Sequence, residues 1–404
     1  MMRKLRTLGI VCSILVAAAV MHACEKSVEE VETSDDALNL KSASASKVSY
    51  IITLNDPQLN AELSKTAGYS KKKEKVSATV ARLLKKLDVT DGEIGYVYAT
   101  ALQGFSIKIP PGQLKKMEGE SSIALIEEDQ VISLSPIKAY RGKPNGGGSS
   151  TPPAQETPWG ITRVNGGVDG TGKTVWIIDT GVDFDHPDLK VDAARAANFT
   201  SDKEGDDLNG HGTHVAGTIA ALNNGFGVIG VAAGATVVPV KVLNRRGSGT
   251  VSGVVAGVDY VADNAANGDV ANMSLGGGGS TTLDNAVIAA ATSGVKFALA
   301  AGNESDDANK HSPARANHAN IYTVSAMDIN DKFAYFSNYG NPPIDYCEPG
   351  YSIYSTYKDG GYATLSGTSM AAPHMAGILA LGSVKSDGFV TSDLDDNPDL
   401  IGVH

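Results

Sequence analysis

From about residue 155 onward, short apolar strands alternate with helices, and this alternation restricts the chain to a parallel sheet covered by helices. Thr174-Val175-Trp176-Ile177-Ile178 is an apolar strand that ends in Asp179-Thr180-Gly181. Ala298 to Ala301 is a later strand that runs into Gly302-Asn303. Asn209-Gly210-His211-Gly212-Thr213-His214-Val215-Ala216-Gly217 opens one helix, and Gly367-Thr368-Ser369-Met370-Ala371-Ala372-Pro373-His374 opens another. The predicted fold class is α/β with a mostly parallel sheet.

The polar residues in these turns are of the kinds that carry chemistry. An acid at the carboxyl end of a buried strand sits where open α/β sheets place their sites. Glycines beside His211 let another segment approach its ring closely. Backbone N–H groups at the start of the Ser369 helix can stabilise an anion. Each feature alone is most simply structural, as a turn, a cap or a packed polar group. Together, Asp179, His211, Asn303 and Ser369 supply an orienter, a base, an amide donor and a nucleophile, each in a glycine-bearing loop.

These segments resemble the subtilisin family of serine proteases, the subtilases. Asp179-Thr180-Gly181-Val182, His211-Gly212-Thr213-His214-Val215-Ala216-Gly217 and Gly367-Thr368-Ser369-Met370-Ala371 are similar to its three signatures, and the resemblance covers about residues 155–380. It implies a three-layer subtilisin-like domain over 154–404. It also implies a serine endopeptidase in which Ser369 attacks, His211 moves the proton, and Asp179 orients and stabilises the imidazole. The Asn303 amide, with the Ser369 N–H, would bind the oxyanion. The bond cleavage needs no cofactor. Gly247-Ser248-Gly249 and Ser274-Leu275-Gly276 resemble the two segments that flank an extended substrate, leaving backbone groups open for strand addition. A protein or peptide substrate would favour a large apolar residue before the scissile bond. The resemblance further implies a structural calcium site, with carbonyls from Leu222, Phe226 and Val228 and side chains from Asn224, Asp188 and Gln155; six oxygens suit a hard cation.

The N-terminal part divides further. Met1 to Arg6 is basic and Leu8 to Met21 almost wholly apolar, which reads as a signal peptide over 1–23. The apolar run is shorter than the roughly 20 residues of a membrane helix. Ala23-Cys24 resembles a lipoprotein acylation box, from which Met21 and His22 depart. Anchoring through a lipidated Cys24, cleavage nearby, and an uncleaved anchor all stay open. Each makes the protein an exported one, secreted or held at the cell surface or outer membrane. Residues 24–47 read as a polar tether. Residues 48–134 read strand, helix, strand, strand, helix, strand, a small α+β ferredoxin-like domain. Its strands are Val48 to Leu54, Ile94 to Ala99, Gly104 to Ile109 and Ser122 to Ile126. Val76, Val80, Leu83, Leu84 and Leu87 form the apolar face of its main helix, Lys75 to Leu87. A short helix runs from Pro111 through Met117, and Glu127-Glu128-Asp129 reads as an acidic turn. By resemblance this domain is the inhibitory propeptide of a zymogen, an intramolecular partner of the enzyme. Residues 135–153, rich in Pro, Gly and Ser, read as the linker to be cut.

Composition closes off other classes. With 42% hydrophobic and 20% charged residues the chain is not wholly disordered. A net charge of -11, in which -14 from residues beyond 150 is offset by +3 at the N-terminus, argues against nucleic acid as a partner. Three cysteines, Cys12, Cys24 and Cys347, cannot build a disulfide framework, and core packing is the expected role of Cys347. Gly225-Phe226-Gly227-Val228-Ile229-Gly230 spells a dinucleotide fingerprint, but a helix precedes it and a strand follows, the reverse of what that site requires. Ser386 to His404 reads as an acidic, non-helical tail, with Asp387, Asp393, Asp395, Asp396 and Asp399 more simply solvated than cation-binding. A monomer is the default. The competing function is a non-catalytic surface-binding protein on a protease fold.

Overall fold

The computed structural model describes residues 46–134 and 153–404. The expected signal peptide, Cys24, nearly all of the tether and all but the last residue of the linker lie outside the described residues. None of the helices described is long and apolar enough to cross a membrane.

The alternating half forms a ten-stranded sheet. From one edge the order is Lys385–Phe389, Leu400–Val403, Ile344–Pro349, Ile321–Met327, Lys296–Ala300, Val270–Met273, Thr174–Asp179, Thr236–Lys241 and Lys190–Val191, with Ala197–Asn198 also on Thr236–Lys241. Neighbours run parallel except the first pair, which is antiparallel. The Thr174–Asp179 strand shows why both faces must be covered. Trp176 and Ile178 point into one core, with Val254, Val258, Leu283 and Val287 of the helices Val251–Asn264 and Thr281–Thr292. Val175 and Ile177 point into the other, with Val215 and Ile219 of the helix His211–Ala220 and Met370, Met375 and Leu379 of the helix Thr368–Leu381. Period-two alternation between two apolar faces gives the three layers.

The C-terminal edge differs from the expected solvated tail. Lys385–Phe389 and Leu400–Val403 pair as strands, and Leu400–Val403 extends the sheet beside Ile344–Pro349. Asp399 is only 3% exposed and accepts hydrogen bonds from Asn341 Nδ2 at 2.8 Å and from Ser325 Oγ. Burial pushes its carboxyl up to about 7. Asp387 pairs with Arg163 at 3.0 Å. Cys347 is buried with Met327, Phe333, Val390 and Ile401, as expected.

Residues 48–128 form a separate four-stranded antiparallel sheet in the order Glu93–Tyr98, Gly104–Ile109, Val48–Leu54, Ile123–Glu128, the ferredoxin-like order. Its main helix, Tyr69–Lys86, starts six residues earlier than the apolar spacing suggests and buries Val76, Val80 and Leu83. An unexpected helix, Pro57–Leu63, is opened by Asp56, whose carboxylate accepts the N–H groups of Gln58 and Leu59 at 3.0 Å. At seven residues it is too short to show a helical period.

The two sheets meet through carboxylates. The segment expected as an acidic turn runs off the end of the strand Ile123–Glu128, and two of its three acids are aimed at helix N-termini. Glu127 accepts from Thr282 N at 3.1 Å and from Ser280 Oγ, at the start of Thr281–Thr292. Asp129 accepts from Ser252 N at 2.9 Å and Ser252 Oγ at 2.7 Å, at the start of Val251–Asn264. In return Asp259 takes the N–H groups of Ala99, Thr100 and Ala101, the latter two at 2.7 Å, and the Tyr69 hydroxyl at 3.0 Å. A carboxylate at a helix start is worth about 1 kcal/mol through capping and the helix dipole together. Removing both with Glu127→Ala and Asp129→Ala, in a Ser369→Ala background, should therefore raise the exchange rates of the Ser252 and Thr282 amide protons roughly 30-fold. Unchanged native-state hydrogen exchange would show that these acids do not hold the domains together.

Candidate active site

Asp179 is the last residue of its strand, and its side chain is fully buried. His211 opens its helix after Gly210, whose backbone is left-handed (φ 107°). The two meet because the loop after Asp179 and the first helical turn pack without a gap. A Cβ on Gly212 would overlap the carbonyl of Gly181, so only glycine permits this approach. His211 Nδ1–H donates to Asp179 Oδ1 at 2.8 Å, and that oxygen also accepts from Thr180 N at 2.7 Å. Donation through Nδ1 leaves His211 Nε2 as the lone-pair nitrogen, and among the described residues it has no hydrogen-bond partner. His214, one turn along, donates from Nε2 to the carbonyls of Ile353 and Ala363 at 3.0 and 3.1 Å. Burial, with the nearby His211 in second place, pushes it down to about 3, so it is a neutral packing group.

Ser369 is the second residue of its helix. Pro373 lies four residues on and has no N–H with which to bond the Ser369 carbonyl. That carbonyl is taken instead by the Ser274 hydroxyl at 2.8 Å, while Ser369 Oγ donates to the Ser274 carbonyl at 3.1 Å. Ser369 and Ser274 are thus tied in both directions, and Ser274 Oγ is itself held by Asn272 Nδ2 at 2.8 Å. Asn303 follows the Lys296–Ala300 strand. Its Oδ1 accepts from Thr368 N and Thr368 Oγ1 at 2.8 and 3.0 Å, which fixes the amide and leaves Nδ2 as its donor. A Cβ built on Gly367 would lie 3.5 Å from Asn303 Nδ2 and 3.7 Å from Ser369 N, so both donors border a space that this glycine keeps open.

A cleft runs past these groups. Its pocket is lined by Leu134, Ser274, Leu275, Gly276, Gly277, Ala300 to Glu304, His311, Ala314, Thr368 and Ser369. Glu304 and His311 were not legible in the sequence; His311 lies 3.9 Å from Glu304 and 3.6 Å from Asp306 and makes one wall polar. The Val131–Ser133 strand pairs antiparallel with Ser248–Thr250, Ser133 opposite Ser248 and Ile132 opposite Gly249. Leu134 N extends the ladder to Gly247 O at 2.9 Å. Ile132, 2% exposed, packs in the same core as Leu275. Gly247, Ser248 and Gly249 therefore flank an extended chain on one side, and Ser274, Leu275 and Gly276 border the cleft on the other.

The residues expected around calcium also converge. Gln155 Nε2 donates to Leu222 O at 2.8 Å and Val228 O at 3.4 Å. Asn224 Nδ2 donates to Asp188 Oδ1 at 3.0 Å, and Asp188 Oδ2 accepts from Val228 N at 3.0 Å. Phe226 N donates to Asn224 Oδ1 at 3.2 Å. Two amide N–H₂ groups thus fill a cradle of carbonyl and carboxylate oxygens, and a half-turn of each amide would present oxygen instead. One carboxylate among neutral oxygens fits a hard cation. Among the described residues no group of three or more His, Cys, Asp or Glu could hold a metal ion.

A buried acid–imidazole pair, a helix-start serine and the N–H donors of Asn303 and Ser369, carried on a parallel sheet, are the groups a serine-type hydrolase draws on. Residues 170–391 match the model of the Subtilase family, and residues 49–135 match that of the Peptidase inhibitor I9 family. An alkaline serine exoprotease A of Vibrio alginolyticus is 42% identical over 301 residues, 72% of this chain and 53% of that protein. A thermostable alkaline protease of Halalkalibacterium halodurans is 41% identical over 281 residues, 68% of this chain and 70% of that protein. A crystal structure of a cold adapted subtilisin-like serine proteinase is 44% identical, with a TM-score of 0.49, over 55% of this chain and 83% of that one. The chain spans about half the length of the Vibrio relative and about two thirds of the other's. It belongs to the subtilase family of serine proteases and carries an I9-type inhibitor domain ahead of the protease domain.

Proposed function

We propose that the chain is an exported serine endopeptidase made as a zymogen and released by a cut in the linker of residues 135–153. The observation that carries this reading is the Asp179–His211 bond of 2.8 Å beside a cleft in which the chain's own Val131–Ser133 strand already lies. Rotation of the Ser369 hydroxyl from the Ser274 carbonyl toward His211 Nε2 prepares the attack; such contacts are commonly loose before substrate binds. His211 takes the proton as Ser369 Oγ bonds to the substrate carbonyl carbon. Asp179 keeps the proton on Nδ1 and stabilises the imidazolium. The oxyanion enters the space between Asn303 Nδ2 and Ser369 N. His211 then passes its proton to the leaving amine, and water repeats the sequence on the acyl group. Proteins or peptides lie between residues 247–249 and 274–276 as an added strand, with the side chain before the scissile bond in the pocket beside Ser369. The protein works at or beyond the cell surface, as a monomer, released or held through Cys24.

The calcium reading rests on the oxygen cradle. Gln155, Leu222, Asn224, Phe226, Val228 and Asp188 would hold the ion, which stabilises the fold when bound and takes no part in bond cleavage.

Activity and calcium measurements test these proposals. A fluorophosphonate should label the matured protein at Ser369, Ser369→Ala should leave the chain uncut, and Asn303→Ala should lower kcat about 10²–10³-fold with KM little changed. A folded, processed protein that takes no label would instead be a surface-binding protein on a protease fold. Chelation of calcium should lower the midpoint of thermal unfolding, consistent with about 4 kcal/mol of linkage at a thousandfold excess over Kd. Asp188→Asn should abolish most of that difference; equal unfolding of the wild type with and without chelator would remove the calcium reading.

A further inference from the structure

Asp207 has no place in the mechanism above, yet it is 4% exposed and bonded to Thr180 and Gly210, the residues next to Asp179 and His211 in the chain. Its carboxylate accepts five hydrogen bonds from two elements. Thr180 Oγ1 donates at 2.9 Å from the turn that follows Asp179. Asn209 N at 2.9 Å, Gly210 N at 2.8 Å, Thr213 N at 2.9 Å and Thr213 Oγ1 at 2.6 Å donate from the segment that leads into and opens the His211 helix. Every partner is a donor, so the group must be acceptor-only, and a carboxylate supplies about four lone-pair sites while an amide would turn two hydrogens toward donors. Burial pushes this carboxyl upward, and its N–H and O–H donors pull it back.

Thr180 continues the chain of contacts. Its Oγ1 accepts from Gly212 N at 2.9 Å, and its own N–H donates to Asp179 Oδ1 at 2.7 Å. Its carbonyl is held from the other side by the buried Lys241 ammonium at 2.6 Å. Thr180 therefore has no freedom except that which Asp207 and Gly212 allow it. We propose that Asp207 is a positioning residue that acts through Thr180 to set the separation of the Asp179 carboxylate and the His211 ring. It touches neither group. It spans the acid's loop and the histidine's helix, the two bodies whose relative position fixes their bond. A role limited to capping the helix would affect only the folded fraction.

The inference rests on the catalytic assignment of Asp179 and His211, and the experiment separates the two. The matured enzyme is prepared as wild type, Asp207→Asn, Thr180→Val, Thr180→Ser and the double variant Asp207→Asn/Thr180→Val. For each, kcat and KM are measured per active site counted with a fluorophosphonate. The downfield proton resonance of the Asp179–His211 hydrogen bond is followed by NMR. Asp207→Asn should lower kcat about 10²-fold with KM within about twofold, the effect expected of a misplacement near 1 Å. It should also shift or broaden the downfield resonance. The double variant should lose no more than the larger single loss, because both changes break one path. Thr180→Ser should keep kcat near wild type, and this pair of Thr180 variants decides the question if Asp207→Asn does not fold. Unchanged kcat per titrated site, an unmoved resonance, additive losses, or equal kcat in Thr180→Val and Thr180→Ser would each overturn the proposal. A wild type that takes no fluorophosphonate would instead remove the catalytic reading, and the resonance would still report on Asp207.

Discussion

The site depends on keeping one carboxylate dry and in contact with one imidazole. Asp179 and His211 are almost wholly buried, and an unpaired charge there would be costly. The pair stands because three neighbouring constraints agree. The strand brings Asp179 to the end of a sheet closed on both faces. Gly212 lets the helix reach the Gly181 carbonyl. Thr180 and Asp207 tie that loop to that helix, Thr180 Oγ1 donating to Asp207 and accepting from Gly212 N. The buried Lys241 cation, hydrogen-bonded to the Thr180 carbonyl and 3.4 Å from Asp202, places a positive charge in a region otherwise rich in acids. The bond at the centre is thus set by the packing of rigid elements rather than by side-chain flexibility.

The same logic explains how a chain can carry its own inhibitor. The Gly247–Gly249 edge offers unpaired backbone groups because the sheet's own strands do not cover it. The chain's own Val131–Ser133 strand completes that ladder. Main-chain pairing of this kind is weakly selective. The grip of the inhibitor domain comes from elsewhere, from Glu127 and Asp129 at two helix starts and from the N–H groups at 99–101 on Asp259. Those contacts lie away from the pocket beside Ser369. The inhibitor domain is therefore held through surfaces separate from its pairing along the Gly247–Gly249 edge.

Much of this was legible because it is written in local chemistry. Asp179, His211, Asn303 and Ser369 each sit in a short glycine-bearing motif, and apolar runs reveal parallel strands. What escaped the sequence is long-range. Glu304 and His311 join the pocket wall only once the Lys296–Ala300 strand and the segment after it have folded back. The acids at 127–129 resembled a turn because their partners, Ser252 and Thr282, lie more than a hundred residues away. Asp399 belonged to an acidic run by composition, and only the pairing of Leu400–Val403 with the sheet edge shows it to be buried. A charge is assigned to solvent or core by contacts that no window of sequence contains.

Pro373 shows how a local rule becomes a functional device. A proline inside a helix removes the N–H that would bond the carbonyl four residues back, a cost of about 3 kcal/mol in an ordinary helix. Here the released carbonyl is that of Ser369, and the Ser274 hydroxyl takes it at 2.8 Å. The residue that supplies that hydroxyl also offers its carbonyl to Ser369 Oγ. Ser274 opens the segment that borders the cleft, so the break in the helix couples Ser369 directly to that edge. A helix with its full set of backbone bonds would hold Ser369 equally well but leave the Ser274 hydroxyl without this acceptor and the segment after it less firmly placed. The irregularity links Ser369 to the cleft, and the buried Asn272 amide behind Ser274 carries the link back to the sheet.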